Sequence, residues 1–226
     1  MRFRSKRYKK DVVQADSHSL AVTQAVTKLK GWATTKFDQS VECVLQLGID
    51  SRQAEQAVRG AVSLPHGIGK NVRVIAFCEG EDAEKARQAG AMETGGDELV
   101  SKIQGGWLDF DVAIAHPRMM GKVGKLGRIL GPQGKMPSPK SGTVTPHVEQ
   151  AVKEYAAGKI EFRNDSGGNV HALVGKMSFE ESKLVDNINA LVDYIKRIKP
   201  AVVKGTYIKK VFICATMSPS IQLEIS

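Results

Sequence analysis

The hydrophobic pattern of this chain changes character twice, and this change constrains the fold more than any other feature. SVECVLQLG at 40–48 alternates apolar and polar residues, which is typical of a strand with one buried face. NVRVIAFC at 71–78 and FDVAIAH at 110–116 are almost continuously apolar and alternate with helical patterns, which predicts a parallel α/β unit. The alternating pattern returns with KIEFRND at 159–165.

The two ends of the chain therefore share the hydrophobic pattern of an α+β domain, whereas the middle has the pattern of an α/β domain. We predict one discontinuous α+β domain, residues 1–67 and 159–226, and an inserted α/β domain, residues 68–158. Two chain crossings side by side would act as a hinge. The predicted hinge residues are Gly67, Gly69, Gly158 and Lys159.

Several helices are predicted from local signals. Apolar residues recur at helical spacing over 22–32, and the run SRQAEQAV at 51–58 also looks helical. Ser178 and Glu181 resemble a capping box before a long apolar face that Pro200 ends.

The charge of the chain favours a polyanionic partner such as nucleic acid. It contains 33 Lys and Arg against 24 Asp and Glu, a formal net charge of +9. Outside 68–158 the count is 21 against 13, and inside it is 12 against 11, so the discontinuous domain carries most of the excess. Apolar runs are only strand-length and no apolar core follows the basic N-terminus, so we expect neither membrane insertion nor secretion.

Residues 121–145, GKVGKLGRILGPQGKMPSPKSGTVT, contain basic residues spaced by glycine and proline and no acidic residue. We call this run the basic segment. Charge of one sign on a flexible backbone of small residues indicates a polyanion partner, with a solubilising lysine loop as the alternative. Its cations are Lys122, Lys125, Arg128, Lys135 and Lys140.

The N-terminal run MRFRSKRYKK holds six basic side chains with Phe3 and Tyr8 between them. It suits a tail that lies along phosphates and stacks an aromatic ring, or else a mobile terminus.

Cys43, Cys78 and Cys214 are odd in number, far apart and set in apolar runs. They are typical of small buried side chains in a reducing compartment, and they lack the paired spacing of metal ligands. We predict neither a metal nor a cofactor.

Five longer runs carry a family resemblance. They are TKFDQSVE, LGIDSRQAEQAVRGAVSLPHGIGK, KLGRILGPQGKMPSPKSGTVTP, KIEFRNDSGGNVHALVGKMSF and ATMSPS. Together they closely resemble the bacterial ribosomal protein L-one family, the stalk proteins of the large subunit, from about Lys6 to the last strand.

The resemblance implies an outer α+β domain and an inserted Rossmann-like, three-layer α/β domain joined by a two-strand hinge. It implies that the outer domain binds large-subunit rRNA at the base of a mobile stalk, which moves toward deacylated tRNA at the exit site and helps it leave. It also implies repression of the protein's own operon mRNA. The expected location is the cytoplasm, in the large subunit among other ribosomal components, and the protein is expected to be monomeric off the ribosome.

The resemblance also assigns site residues at the first alternating strand. Lys36 and Phe37 align with an RNA-contacting pair, and Ser40 and Glu42 follow on the exposed face. A cation beside an aromatic suits phosphate contact and stacking. Without the resemblance, Phe37 would be a core residue at a strand end. Glu42 could accept hydrogen bonds from a base amino group or a ribose 2′-hydroxyl.

Thr216 and Met217 match the start of the family's Thr-Met-Gly loop, where Ser218 replaces the glycine. A serine requires ordinary dihedral angles there or contributes its hydroxyl to RNA. For His171, a surface histidine without a catalytic role is the alternative. The weaker candidates on neighbouring strands are Arg163, Asn164, His171, Lys209 and Lys210. The five cations of the basic segment would contact phosphates of tRNA or of stalk rRNA.

A nucleotide-dependent enzyme built on the α/β insert is the main alternative class. A dinucleotide site needs a glycine-rich turn after the first buried strand, but residues 79–82 are EGED and would repel a pyrophosphate. GPQGK lacks the spacing of a P-loop, and no recognisable nucleophile motif occurs, so we predict no enzyme. A free RNA-binding translational repressor is a further alternative that uses the same surface.

Overall fold

The computed structural model of the protein describes residues 4–15, 18–33 and 35–224. The helices are α1 (Lys6–Gln14), α2 (Val22–Gly31), α3 (Glu81–Gln88), α4 (Asp97–Gln104), α5 (Met120–Val123), α6 (Gly127–Leu130), α7 (Val148–Ala156) and α8 (Glu181–Arg197). The strands are β1 (Ser40–Leu47), β2 (Arg59–Ser63), β3 (Val74–Phe77), β4 (Glu93–Gly95), β5 (Val112–Ala115), β6 (Lys159–Arg163), β7 (Asn169–Lys176), β8 (Ile208–Ala215) and β9 (Ile221–Leu223). Within these ranges, no helix has both the length and the apolar character needed to cross a bilayer.

The chain divides into two compact units, residues 1–69 with 160–226 (unit 1) and residues 70–159 (unit 2). In unit 1 a sheet runs in the order β7-β1-β8-β9, with β1 antiparallel to both of its neighbours. The residues of β1 are alternately half-buried and buried, as the sequence pattern predicts. Helices α2 and α8 pack together and against this sheet, so the other face of β1 is left for a partner or solvent.

Unit 2 contains a parallel sheet in the order β4-β3-β5, which confirms the parallel pattern predicted for the middle of the chain. Ile75 and Phe77 of β3 belong to one apolar cluster, while Val74 and Ala76 belong to another that includes Tyr155 of α7. Helical segments therefore cover both faces of the sheet, in three layers.

The basic segment, residues 121–145, is not the flexible loop that its glycines and prolines predict. It starts within a run of short helical turns that includes α5 and α6, and Val144 near its end forms an isolated bridge with Ala115. Burial of an apolar stripe outweighs the low helix propensity of glycine, about 1 kcal/mol per residue relative to alanine. The buried stripe consists of Met119, Val123, Leu126 and Leu130.

The helix predicted at residues 51–58 is absent, and this part of unit 1 forms turns. The Asp50 N–H donates to Gln56 Oε1 at 2.8 Å, and Gln56 Nε2 donates to Gln53 Oε1 at 2.7 Å. Polar side chains satisfy the backbone locally, and the run has no apolar stripe whose burial would stabilise a helix.

The basic N-terminus forms the helix α1 rather than a tail over the part that is described. The Ser5 hydroxyl caps it by accepting a hydrogen bond from the Tyr8 N–H at 3.2 Å. The Arg4 guanidinium lies 4.5 Å from the centre of the Tyr8 ring. Phe3, the other aromatic residue of this basic run, lies outside the described residues.

The predicted hinge glycines Gly67 and Gly69 are held by contacts within unit 1. Asn187 is buried and donates from Nδ2 to the Gly67 carbonyl at 2.9 Å. Gly69 has a φ of +68°, and a Cβ added there would lie 2.7 Å from the Phe179 ring. Glycine is thus required at position 69 by both its conformation and its packing.

The other two predicted hinge residues are held within unit 2. Gly158 follows α7 with a φ of +104° and donates from its N–H to the Tyr155 carbonyl at 3.1 Å. Lys159 Nζ donates to Glu154 Oε2 at 2.7 Å. The hinge role of all four residues stays a prediction.

Candidate functional site

Thr216 and Ser40 lie side by side where β8 ends and β1 begins. The Thr216 hydroxyl accepts a hydrogen bond from the Ser40 N–H at 3.2 Å, and the Thr216 N–H donates to the Ser40 carbonyl at 3.0 Å. The two residues are far apart in sequence, and antiparallel pairing of their strands brings them together. Two of the sequence-predicted site residues therefore form one hydrogen-bonded pair.

Met217 lies in a four-residue turn that begins at Ala215. The Ser218 N–H donates to the Ala215 carbonyl at 2.9 Å, and Met217 has a φ of +66°, the one positive φ outside glycine in the described ranges. A side-chain-bearing residue is strained in this conformation. The turn leaves 67% of Met217 exposed.

Ser218 adopts an ordinary φ, as the first of the two alternatives for the missing glycine requires. Its hydroxyl accepts from the Ala215 N–H at 2.8 Å and donates toward the carbonyls of Ala215 and Pro219. The positive φ falls one residue earlier, on Met217. Ser218 therefore closes the turn from within, and its hydroxyl is already engaged.

The loop before β1 is anchored on both sides of Phe37. The Thr35 hydroxyl donates to the Phe37 carbonyl at 3.0 Å, and Asp38 accepts from the N–H and hydroxyl of Ser178 at 3.1 and 2.9 Å. Ser178 is thus engaged away from α8, so the predicted capping box does not form and Glu180 is the N-cap without a side-chain bond. Phe37 is 50% exposed, which contradicts the core alternative.

A shallow depression of about 450 Å³ brings the predicted residues of β1, β7 and the Met217 turn together. Glu42 Oε1 lies 2.8 Å from His171 Nδ1, and His171 Nε2 lies 3.9 Å from Asp165. Glu42 therefore has a protein partner and is not a lone carboxylate. The predicted residues that line the depression are Ser40, Glu42, His171, Thr216, Met217 and Ser218. We call these six residues, with Lys36 and Phe37 of the loop that leads into β1, the strand-end site.

Four of the weaker candidates lie away from the depression. Lys209 and Lys210 are exposed at the start of β8, and Lys210 pairs with Gln46 at the far end of β1, roughly 20 Å of strand from Thr216. Arg163 is exposed at the end of β6. Asn164 accepts a hydrogen bond from the Val58 N–H at 2.8 Å, so its amide has a structural role.

Sequence reasoning missed other residues of the site. Lys176 pairs with Ser40 across β7 and β1 and donates from Nζ to the Ser40 hydroxyl at 3.1 Å. Leu173 and Cys214 flank Glu42 on the two neighbouring strands and line the depression. The strand pattern placed these residues on strands, but the register that brings them together has no signal in the sequence.

Two cysteines are buried, as predicted, and the third is not. Burial raises the pKa of Cys43 to about 12 and that of Cys78 to about 11, so both thiols stay protonated. Cys214 is half-buried on the outer face of β8.

Two of the five cations of the basic segment are engaged within unit 2. Lys122 Nζ donates to Asp97 at 2.8 Å and to Glu79 at 2.9 Å, and these bonds raise the pKa of Lys122. Lys135 Nζ donates to the Leu108 carbonyl at 2.9 Å. The basic segment has no carboxylate of its own, but carboxylates from elsewhere in the chain neutralise Lys122.

The other three cations of the basic segment point into solvent. They have no ion pair with any residue in the described ranges. Two of them lie on the short helical turns, and the third lies on a single helical turn, Pro139–Ser141, near the end of the segment. They are Lys125, Arg128 and Lys140.

A further charge cluster stabilises unit 2 near its first residue. Asp111 accepts hydrogen bonds from Lys70 Nζ at 2.9 Å and from the Arg73 N–H at 3.1 Å. Partial burial alone would raise the pKa of Asp111, but these bonds and the Arg73 guanidinium lower it to about 2. Arg73 also pairs with Asp109.

The sequence that folds into these two units matches a known family. The ribosomal protein L1p/L10e family matches residues 29–219, and the chain belongs to it. The members are structural proteins of the ribosome and not enzymes.

The similarity to individual relatives extends over nearly the whole chain. Large ribosomal subunit protein uL1 of Thermobifida fusca (strain YX) is 52% identical over 222 residues, which cover 98% of this chain and 94% of the relative. Large ribosomal subunit protein uL1 of Beutenbergia cavernae is 51% identical over 227 residues, which cover 100% of this chain and 95% of the relative. The resemblance seen in the sequence motifs is confirmed.

Proposed function

We propose that this chain is a structural protein of the large ribosomal subunit, located in the cytoplasm with the ribosome, and that it binds rRNA through the strand-end site. One observation carries the proposal: Phe37 and Met217, large apolar side chains, are 50% and 67% exposed beside polar groups at one end of a sheet. RNA recognition uses exposed flat or apolar side chains against splayed bases, together with hydrogen bonds to base edges and 2′-hydroxyls.

Five of the eight residues of the strand-end site have individual proposed contributions. Phe37 and Met217 pack against bases or ribose rings, and Lys36 contacts a phosphate. Glu42 and His171 already form a hydrogen-bonded pair, so each presents a fixed acceptor or donor to RNA. Arg163, Lys209 and Lys210 contact phosphates farther along the same unit.

We propose a different role for unit 2. Lys125, Arg128 and Lys140 contact phosphates of tRNA at the exit site or of stalk rRNA, and thereby assist release of deacylated tRNA. Solvent exposure and the lack of ion pairs among the described residues support this. The same strand-end site would bind a mimic of the rRNA on the operon mRNA and repress its translation.

The proposal is tested by sedimentation and by direct binding. Cell extract is separated on a gradient, and the chain is expected to co-migrate with the large subunit. Purified full-length protein is then titrated with a stalk rRNA fragment. Binding to the fragment without presence on the large subunit would favour the free repressor, and absence of both would refute the proposal.

A further inference from the structure

The helix α1 reaches the Met217 turn through one side chain. Arg7 Nη2 donates to the Met217 carbonyl at 2.7 Å, across 210 positions of sequence. Within the described ranges, no other hydrogen bond links the Met217 backbone to a residue outside its own turn. Residues 29–219 match the family, so α1 lies outside the matched part.

This bond is significant because the turn has a strained residue at its tip. Met217 has a φ of +66°, and such a conformation persists only where its surroundings fix it. Inside the turn, Ser218 supplies hydrogen bonds to Ala215. From outside the turn, Arg7 fixes the peptide group that follows Met217.

The environment of Arg7 distinguishes it from the other cations of α1. Arg7 is half-buried, and its Nη1 is buried without a hydrogen-bond partner in the described ranges, so one side of the guanidinium faces the protein. Lys6, Lys9 and Lys10 on the same helix are exposed. With Nη1 buried and Nη2 donating to the Met217 carbonyl, the guanidinium has less free surface for a phosphate than the exposed lysines and is well placed to hold the turn.

We propose that Arg7 is a positioning residue for RNA recognition: α1 holds the Met217 turn in the form that presents the Met217 side chain. This inference rests on the proposed rRNA binding. It predicts that Arg7 affects affinity through the shape of the turn and not through its charge.

The test compares Arg7→Ala with Lys10→Ala in the full-length chain, because both remove one positive charge from α1. Binding to the stalk rRNA fragment is measured at low and high salt. We expect Arg7→Ala to weaken binding about fivefold at both salt concentrations, as one lost charge-assisted hydrogen bond implies. Lys10→Ala is expected to weaken binding less than about twofold, and only at low salt. Arg7→Lys keeps a charged donor and should recover part of the loss.

A double-mutant cycle identifies the route of the effect. Glycine adopts a positive φ without strain and has no side chain to present, so Arg7→Ala should cause no further loss in a Met217→Gly background. Equal losses in both backgrounds, or a loss in Arg7→Ala that salt abolishes, would overturn the inference in favour of direct phosphate contact.

A measurement without RNA separates this inference from the proposed function. Three-bond couplings of Met217, recorded by NMR, report its φ and should change in Arg7→Ala but not in Lys10→Ala. Unchanged couplings would overturn the positioning role even if the protein binds rRNA. Changed couplings in a protein that binds no rRNA would refute the proposed function and leave the positioning of the turn intact.

Discussion

The strand-end site and the basic segment use charged residues in opposite ways. In the strand-end site, charged groups are few, Glu42 and His171 are paired, and the exposed surface includes Phe37 and Met217. In the basic segment, cations dominate the sequence, but the apolar side chains between them are buried. The less charged of the two regions has the surface better suited to distinguish one RNA from another.

The comparison also shows that sequence charge overstates surface charge. Lys122 is bonded to Asp97 and Glu79, and Lys135 to the Leu108 carbonyl, so both stabilise unit 2. A run without carboxylates of its own can still be neutralised by carboxylates from distant parts of the chain.

The largest expected effect tests the strand-end site, the region whose surface is better suited to distinguish one RNA from another. Met217→Ala or Phe37→Ala should weaken binding to the stalk rRNA fragment by about 1 to 3 kcal/mol, the value of one stacking or base-edge contact. The loss should persist at high salt, because no charge is removed. Filter binding measures it, and Met92→Ala, which removes a methionine of unit 2 that is 49% exposed, is the control. An equal loss in the control would remove the distinction between the two regions.

The next effect tests the phosphate contacts proposed for the basic segment. Replacing Lys125, Arg128 and Lys140 together by Gln should weaken tRNA binding by about tenfold at low salt and lower the salt slope by about 2 to 3, the value of three phosphate contacts.

The matched control for this triple variant replaces three cations of unit 2 that already have carboxylate partners. Lys85, Lys102 and Lys153 pair with Glu81, Glu93 and Glu149. Neutralising these three changes the net charge equally and should alter the salt slope less. Equal slopes in both variants would show that only net charge matters.

A smaller effect separates the charges that stabilise unit 2 from those proposed to bind. Asp111→Asn should destabilise unit 2 by about 1 kcal/mol at pH 7, after a discount for solvent screening. Because the pKa of Asp111 is lowered from 3.8 to about 2, its contribution is complete above about pH 4 and is lost as the pH falls toward 2. Hydrogen exchange in residues 70–159 measures the effect. Asp109→Asn removes a more exposed partner of Arg73 and should cost less.

The smallest expected effect concerns the turn itself. Ser218→Gly restores the residue of the family loop but removes the hydroxyl that bonds Ala215, and Ser218 needs no positive φ. We expect a loss of about 0.5 kcal/mol in stability from the lost bond and the added freedom of the unfolded chain. Thermal unfolding measures it beside Ser218→Ala. A gain in stability would mean that the hydroxyl strains the turn.

The fold was predictable where burial imposes a clear period. The alternation of β1 and the apolar runs at β3 and β5 each have one dominant pattern. The helical turns of the basic segment were not predictable, because glycine favours loops locally while Met119 and Leu130 are buried by contacts with the rest of unit 2. The helix prediction for residues 51–58 was wrong for the opposite reason: the residues favour a helix locally, but they have no apolar stripe to bury.

The site was predictable only as separate pieces. The family motifs indicated Phe37 and Met217, but the bond between Thr216 and Ser40 depends on strand register, which a single sequence does not encode visibly. Arg7 had no signal at all, because its partner lies 210 positions away and its type is common near a basic N-terminus.

The sheet order of unit 1 also dictates when its parts can come together during synthesis. Strand β1 emerges from the ribosome early, yet its neighbours β7 and β8 begin only at Asn169 and Ile208. A bridge joins Leu20 to Leu223, so the sheet of unit 1 is complete only after β9 has been synthesised. Unit 2 is one continuous stretch of sequence, so it can fold before unit 1 is complete. During that time the edges of β1 are unpaired. The edges of β1 would thus remain open to unwanted pairing until Asn169 and the residues after it have been synthesised.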